Sequence, residues 1–205
     1  MTKGRLEAFS DGVLAIIITI MVLELKTPKT PDLAALRLLL PLLGGYVLSF
    51  IYIGIYWNNH HHLLQAARHV NGQILWANLH LLFWLSLVPL VTNWMGETCF
   101  AAVPVAAYGV VLLCAGMAYY LLSRALVSAH GRDSALAVAV GADRKGLASL
   151  ALYALAVPLA FVDPRIACGI YACVALMWLV PDRRIERALN PVKQPTEDHQ
   201  EDSEA

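Results

Sequence analysis

The residues best suited to chemistry in this chain are polar side chains at one end of its first long apolar stretch. They form the spacing Arg5-x-x-x-Phe9-Ser10-Asp11. An ionisable side chain inside a membrane is energetically expensive, so it needs a partner or a task. The carboxylate of Asp11 can accept hydrogen bonds from an imidazole, an indole N–H or an amide N–H. The motif therefore predicts hydrogen-bonding partners on neighbouring helices.

Candidate partners lie at the end of the second apolar stretch and near the start of the third. Trp57 comes shortly before three consecutive histidines at positions 60–62, and Asn78 and His80 lie about a turn inside the third stretch. Two hypotheses stay open for this cluster. It fixes the packing of three helices, or it also tunes gating or proton sensitivity through histidine. Consecutive helical residues point about 100° apart, so the adjacent histidines do not converge on one ion and we predict no metal site.

A single stripe of side chains runs along the first apolar stretch. Between Asp11 and Glu24 the stretch carries one polar side chain, that of Thr19. At about 100° per residue, four residues fall within about 60° of one another on a helix: Gly12, Ile16, Thr19 and Leu23. The other faces are apolar too. Periodicity therefore does not distinguish a pore lining from a face that packs against other helices.

The elements that position these residues are membrane helices. Hydrophobic residues make up 59% of the 205 residues and charged residues 15%, well below the roughly 25% of a soluble domain. The charges cluster between long apolar stretches, and about 20 apolar residues cross a bilayer. We predict an all-α membrane protein in which residues 1–188 form a six-helix transmembrane domain. The helices are expected at about residues 6–25, 35–62, 72–95, 100–128, 146–162 and 165–182.

The distribution of Lys and Arg predicts that both termini are cytoplasmic. Eleven of the 15 Lys and Arg residues fall in segments on the side of the N-terminus, and four fall on the other side. The positive-inside rule assigns the richer side to the cytoplasm, in agreement with an even number of spans. Residues 189–205 are polar and acidic, and we expect a disordered cytoplasmic tail.

Several other classes of function find no support in the composition. The formal net charge is zero, so nothing indicates a nucleic-acid partner. The four cysteines show neither a CxxC pair nor a zinc-type spacing, and we read them as small core residues. Asp11 and a histidine could form an acid–base pair, but no nucleophile or metal motif accompanies them. We therefore expect no enzymatic activity and no cofactor.

The first-helix motif resembles the signature of the transmembrane-protein-175 family of endosomal and lysosomal potassium channels and their bacterial relatives. The later patterns Trp57-x-x-His60-His61 and Asn78-Leu79-x-x-Leu82-Phe83 are similar to that family as well. The resemblance covers about the first half of the chain. It implies a potassium-selective channel without the carbonyl filter of ordinary potassium channels, and this sequence also has no Thr-Val-Gly-Tyr-Gly run.

The resemblance also implies roles for individual residues. Ile16 and Leu23 would form hydrophobic constrictions, and Thr19 a hydroxyl layer where K⁺ binds transiently. Independently of the resemblance, the position of Glu24 just beyond Leu23 predicts a ring of carboxylates at the outer mouth of an oligomeric pore. The anchoring of this helix would rest on Arg5, Phe9, Ser10 and Asp11, with Trp57, His61 and Asn78 as partners.

The motif occurs once, which resembles the bacterial, single-repeat type of the family. That type implies a homotetramer in the bacterial inner membrane, with a pore formed by the oligomer. The other hypotheses are a secondary transporter of cations or protons and a purely structural membrane protein. Pro89 and Pro158 interrupt apolar stretches as transporter helices do, but no second copy of the motif is present.

Overall fold

The computed structural model describes residues 2–28, 30–131, 137 and 143–179. The described residues contain helices and no strands, so the predicted all-helical fold is confirmed. The predicted tail, the last residues of the predicted sixth span and most of residues 132–142 lie outside this part of the chain. The helices, in chain order, are α1 Lys3–Leu23, α2 Leu33–Gln65, α3 Gly72–Ser86, α4 Val88–Glu97, α5 Ala102–His130, α6 Arg144–Leu159 and α7 Pro164–Leu179.

Short polar side chains fix where two of these helices begin. Asp32 accepts a hydrogen bond from the Ala35 N–H at 2.7 Å, which starts α2 and lowers the pKa of the Asp32 carboxyl. Asn71 does the same for α3 through Ile74 at 3.0 Å. Each cap satisfies an N–H group that the first turn of a helix leaves without a partner.

The third predicted span is two helices rather than one. The sequence predicted a continuous helix over about residues 72–95, but α3 ends at Ser86 and α4 begins at Val88. Pro89 lies in the first turn of α4 and has no N–H to continue the hydrogen-bond ladder. The chain therefore bends at Leu87, and the two helices together form one span, Gly72–Glu97.

Within the described ranges, four segments are long and apolar enough to cross a membrane: α1, α2, the α3–α4 pair and α5. Helices α6 and α7 have 16 described residues each, so this part of the bundle consists of four long and two short elements. Helix α5 is central to it and packs against α3, α4, α6 and α7. Helix α1 packs on one side of the bundle, against α2, α3 and α4.

Several polar groups inside the bundle are paired with one another. The Ser49 hydroxyl lies 2.6 Å from that of Thr92 and 3.0 Å from that of Tyr108, which joins α2, α4 and α5. The Tyr52 hydroxyl donates to the Tyr171 carbonyl at 2.6 Å and so joins α2 to α7. Such pairing is required because lipid offers a buried polar group no alternative partner.

Two glycines permit helices to approach closely. A Cβ atom at Gly96 would lie 2.7 Å from the Leu42 Cα, and one at Gly109 would lie 2.1 Å from the Tyr171 hydroxyl. At Gly96 the obstacle is backbone, which cannot rotate away. The α2–α4 crossing therefore depends on the absence of a side chain there.

We expect Gly96→Ala to lower the stability of the bundle by about 1–3 kcal/mol, because the added methyl group forces α2 and α4 apart. The measurement is the thermal unfolding midpoint of the purified protein in detergent. Gly44→Ala on α2 is the matched control, since a Cβ there meets nothing within 4 Å. Alanine is the better helix former, so the control should be neutral or stabilising. Equal midpoints for the two variants would contradict the close-approach interpretation.

Candidate functional site

Helix α1 has two different faces. The face toward the bundle is buried and consists of Leu6, Ser10, Leu14, Ile17 and Met21. The predicted stripe lies on the other side and is exposed in the single chain: Ile16 is 58% exposed and Leu23 is 80% exposed. Gly12 and Thr19, the other members of the stripe, are exposed as well.

The stripe consists of a hydroxyl layer between two bulky apolar layers. Ile16 and Leu23 are seven residues apart, about 10 Å along the helix axis. The Thr19 hydroxyl donates its hydrogen to the Ile16 carbonyl of its own helix at 2.8 Å. Its oxygen therefore retains lone pairs for an outside donor or a cation.

A groove of about 400 Å³ opens beside the stripe, between α1 and the bend of the α3–α4 pair. Its walls include Ile16, Ile20 and Pro89, and Glu24 lies at one end. The side-chain oxygen of Asn93, also in the wall, is buried and has no hydrogen-bond partner in the described part of the chain. The groove thus combines apolar walls with two unpaired oxygen-bearing groups.

Glu24 is exposed just after α1, and its side chain makes no hydrogen bond or ion pair among the described residues. The nearby cation Lys26 pairs with Glu97 instead, and the hydrogen bond from this contact raises the pKa of Lys26. Glu24 therefore contributes negative charge at this end of the stripe without an ion-pair partner.

A hydrogen-bonded cluster holds the other end of α1. In its buried layer, the Asn78 amide donates to the Ser10 hydroxyl at 2.9 Å, and His60 Nε2 lies 2.7 Å from the Asn78 side-chain oxygen. The Ser10 hydroxyl in turn donates to the Leu6 carbonyl at 2.9 Å. Since an amide oxygen only accepts, His60 carries a hydrogen on Nε2. Every polar atom in this contact is therefore paired.

The second layer of the cluster is partly exposed. The Trp57 indole N–H donates to the Asp11 carboxylate at 3.0 Å. His61 does not hydrogen-bond to Asp11 but stacks on Trp57, with ring centroids 6.0 Å apart and an interplanar angle of 24°. The cluster thus joins α1 to α2 through Asp11 and to both α2 and α3 through Ser10.

The structure brings Ser10, Asp11, Trp57 and Asn78 together, and it adds a residue that sequence reasoning did not assign. His60, and not the predicted His61, is the histidine in the buried layer, where it is 2% exposed. Its spacing from Ile53 and Leu64, seven and four residues away on the buried face of α2, was the available signal.

Arg5 and Phe9 do not join this cluster within a single chain. Both are exposed, and Phe9 is 49% exposed. Lys3 rather than Arg5 contacts α2, through the Gln65 carbonyl at 3.0 Å. The anchoring role of Arg5 and Phe9 stays a prediction.

The described residues contain no group of three His, Cys, Asp or Glu side chains arranged to hold a metal ion. Along α1, the exposed stripe and its end present apolar, hydroxyl, apolar and carboxylate layers in turn. Fold and site together define a polytopic helical membrane protein with an unburied stripe on its first helix.

The sequence profile of the family described as the endosomal/lysosomal potassium channel TMEM175 matches residues 5–89. The chain belongs to this family, and the resemblance seen in the first-helix motif is confirmed.

Two bacterial relatives match nearly the whole chain. A protein of Chryseobacterium species, named as a potassium channel, is 55% identical over 189 residues, which are 92% of this chain and 98% of that protein. A protein of Streptomyces collinus, also named as a potassium channel, is 33% identical over 188 residues, or 86% of this chain and 91% of that one.

A solved structure has the same fold. It is a crystal structure described as a lysosomal potassium-selective channel TMEM175 homolog from Chamaesiphon minutus, and it superposes with a TM-score of 0.76. The two sequences are 26% identical, and the match covers 86% of this chain and 96% of that chain. The likeness therefore extends through the second half of the chain, beyond the matched family profile.

We expect Asn78→Ala to destabilise the bundle by about 1–3 kcal/mol, because it leaves His60 and Ser10 buried without their partner. The measurement is the thermal unfolding midpoint in detergent. Asn58→Ala is the matched control, since Asn58 is exposed and its side chain makes no hydrogen bond in the described residues. An unchanged midpoint for Asn78→Ala would show that the buried layer does not hold α1.

Proposed function

We propose that the chain forms a potassium-selective cation channel in which α1 of several copies lines the pore. The observation that carries this proposal is the exposed stripe of Ile16, Thr19 and Leu23 on a helix whose opposite face is buried. In an isolated chain the Thr19 hydroxyl would face lipid, which is unfavourable for a polar group. In an oligomer the stripe can face a pore instead. The names of the bacterial relatives support the same function.

The proposal requires several copies of the chain. One helix cannot enclose a pore, whereas cyclic symmetry turns each exposed residue of α1 into a ring. We infer a homotetramer, as the resemblance to single-repeat members implies. The location we infer is the bacterial inner membrane, with both termini in the cytoplasm, because most Lys and Arg residues lie on that side.

In this arrangement the protein supplies no carbonyl filter. Rings of Ile16 and Leu23 would narrow the pore and control it by excluding water. Between them, the Thr19 oxygens would replace part of the hydration shell of K⁺. The Thr19 hydrogen bond to Ile16 supports this role, because it directs the hydroxyl hydrogen away and leaves oxygen lone pairs available.

We expect Leu23→Ala and Ile16→Ala to increase ion flux several-fold or to reduce the preference for K⁺ over Na⁺, because each widens a constriction. The measurement is flux from liposomes containing the purified protein under K⁺ and under Na⁺ gradients. Leu155→Ala on α6 is the matched control, since Leu155 is exposed and distant from α1 in the sequence.

Three results are distinguishable in that experiment. Altered flux in the α1 variants alone supports the channel. Flux that saturates with ion concentration, together with α1 variants that behave as wild type, would instead support a carrier. Flux in none of the proteins under any gradient would count against a constitutively open channel.

We expect Glu24→Gln to lower conductance in about 10 mM salt and to change it little in 1 M salt. A ring of carboxylates concentrates cations at the pore mouth only when the screening length, about 30 Å in the first case and 3 Å in the second, is long. Single-channel or flux measurements in both salts provide the test. Glu24→Asp retains the charge and should behave as wild type at both concentrations. Equal conductance of Glu24→Gln and wild type at low salt would exclude this role.

A further inference from the structure

The loop between α2 and α3, residues 66–71, is held against the end of α5 by one imidazole ring. His130 Nε2 accepts hydrogen bonds from the backbone N–H groups of Arg68, at 2.9 Å, and His69, at 3.3 Å. His130 Nδ1 lies 2.8 Å from the Leu126 carbonyl oxygen. The rings of His69 and His130 stack with their centroids 4.3 Å apart.

These contacts determine the protonation state of His130. A carbonyl oxygen only accepts, so the hydrogen must be on Nδ1, which donates it to Leu126. Nε2 accepts two N–H groups, so it carries no hydrogen and the ring is neutral. A proton added at Nε2 would point at two backbone N–H groups. Protonation and the two loop contacts therefore exclude each other.

The loop has apolar contacts at its ends and a polar one in its middle. Ala67 is buried in the hydrophobic core, and Val70 packs against it. Among the described residues, the N–H groups of Arg68 and His69 have no acceptor other than His130. The chain before the loop is fixed by Lys3, which donates to the Gln65 carbonyl, and the chain after it by Asn71, which caps α3. His130 thus supplies the hydrogen bonds that hold the middle of the loop.

Titratable groups of both signs lie on the elements around His130. On the loop, on α5 and on the helices that pack against it, these groups are Arg68, His69, Arg124 and His80, with Asp143, Arg144 and Lys145 at the start of α6. Lys3, Arg5 and Glu7 lie at the start of α1, where Lys3 contacts the end of α2. None of the carboxylates contacts His130 in the described residues, and Glu7 pairs with Lys3 at 3.8 Å. Arg132 and Asp133 follow in the sequence and lie outside the described residues.

The loop joins the two helices that hold α1. Helix α2 carries Trp57 and His60, and α3 carries Asn78, which together bind Asp11 and Ser10 of α1. A fixed loop therefore helps to hold α2 and α3 in the arrangement that supports α1, the helix with the exposed stripe.

We propose that His130 is a proton-operated latch. When neutral, it fastens the α2–α3 loop to α5; when protonated by acid on the side predicted to be cytoplasmic, it releases the loop. Release loosens the α2–α3 pair that supports α1 and so changes ion flux. This last effect rests on the proposed channel function, whereas the latch itself does not.

The test is hydrogen–deuterium exchange of the full-length protein at pH 7.5 and pH 5.5, corrected for the pH dependence of intrinsic exchange. Loss of the two hydrogen bonds should lower the protection of the Arg68 and His69 amides in the wild type by about tenfold at the lower pH. His130→Gln should stay protected at both values, because its side-chain oxygen accepts without titrating. His130→Lys, which has no acceptor, should be unprotected at both.

His69→Gln is the control, since it keeps the His130 acceptor and should keep the wild-type response to pH. Equal loss of protection in wild type and His130→Gln overturns the latch, and so does protection in the wild type that does not change with pH. In liposomes, acid on the cytoplasmic face should change K⁺ flux in wild type and in His69→Gln but not in His130→Gln. Flux in His130→Gln that follows pH as in wild type would overturn the coupling, whereas no flux in wild type would count against the channel instead.

Discussion

The contact between Ser10, Asn78 and His60 sets the orientation of α1, and the exposed stripe depends on it. Inside a bilayer a polar side chain has to find its partner within the protein. Ser10 finds one in Asn78, and Asn78 finds a second in His60. Because residues on a helix are about 100° apart, fixing Ser10 toward the bundle also fixes the residues that face away from it. The apolar side chains alone would not select one rotation, since every face of α1 is apolar.

The fold follows from the sequence to a large extent, for reasons that particular residues illustrate. Long apolar stretches with few charges leave helices as the only local solution, and the caps Asp32 and Asn71 mark where two of them begin. The sequence left the geometry at Leu87 undecided, because a proline in a membrane span is compatible with either a kinked helix or a break. In the structure, α4 packs against α2 and α5 after this point.

The candidate site was predictable by residue type but not in full by contact. Asp11 and Trp57 were expected to meet because they share one end of two adjacent spans, and they do so. The choice between His60 and His61 depends on the rotation of α2, which the sequence encodes only through its buried residues Ile53 and Leu64. The direction in which Arg5 and Phe9 point reflects the rotation of α1 in the same way. The contact of His130 with the loop could not be predicted from the sequence. It joins residues 62 positions apart through backbone N–H groups, for which side-chain patterns carry no signal.

The length of α6 has a consequence for the lipids around the protein. Its 16 residues span about 24 Å, several ångströms less than the roughly 30 Å of a typical hydrocarbon layer. The Asp143 cap marks one end of the helix, and Pro158 lies in its last turn. If α6 crosses the bilayer as the sequence predicts, the annulus of lipid beside it must be compressed, and the elastic energy of that deformation is smallest for short acyl chains. This flank of the molecule would then select its lipid neighbours by chain length, and two such flanks would lower their deformation energy by lying side by side.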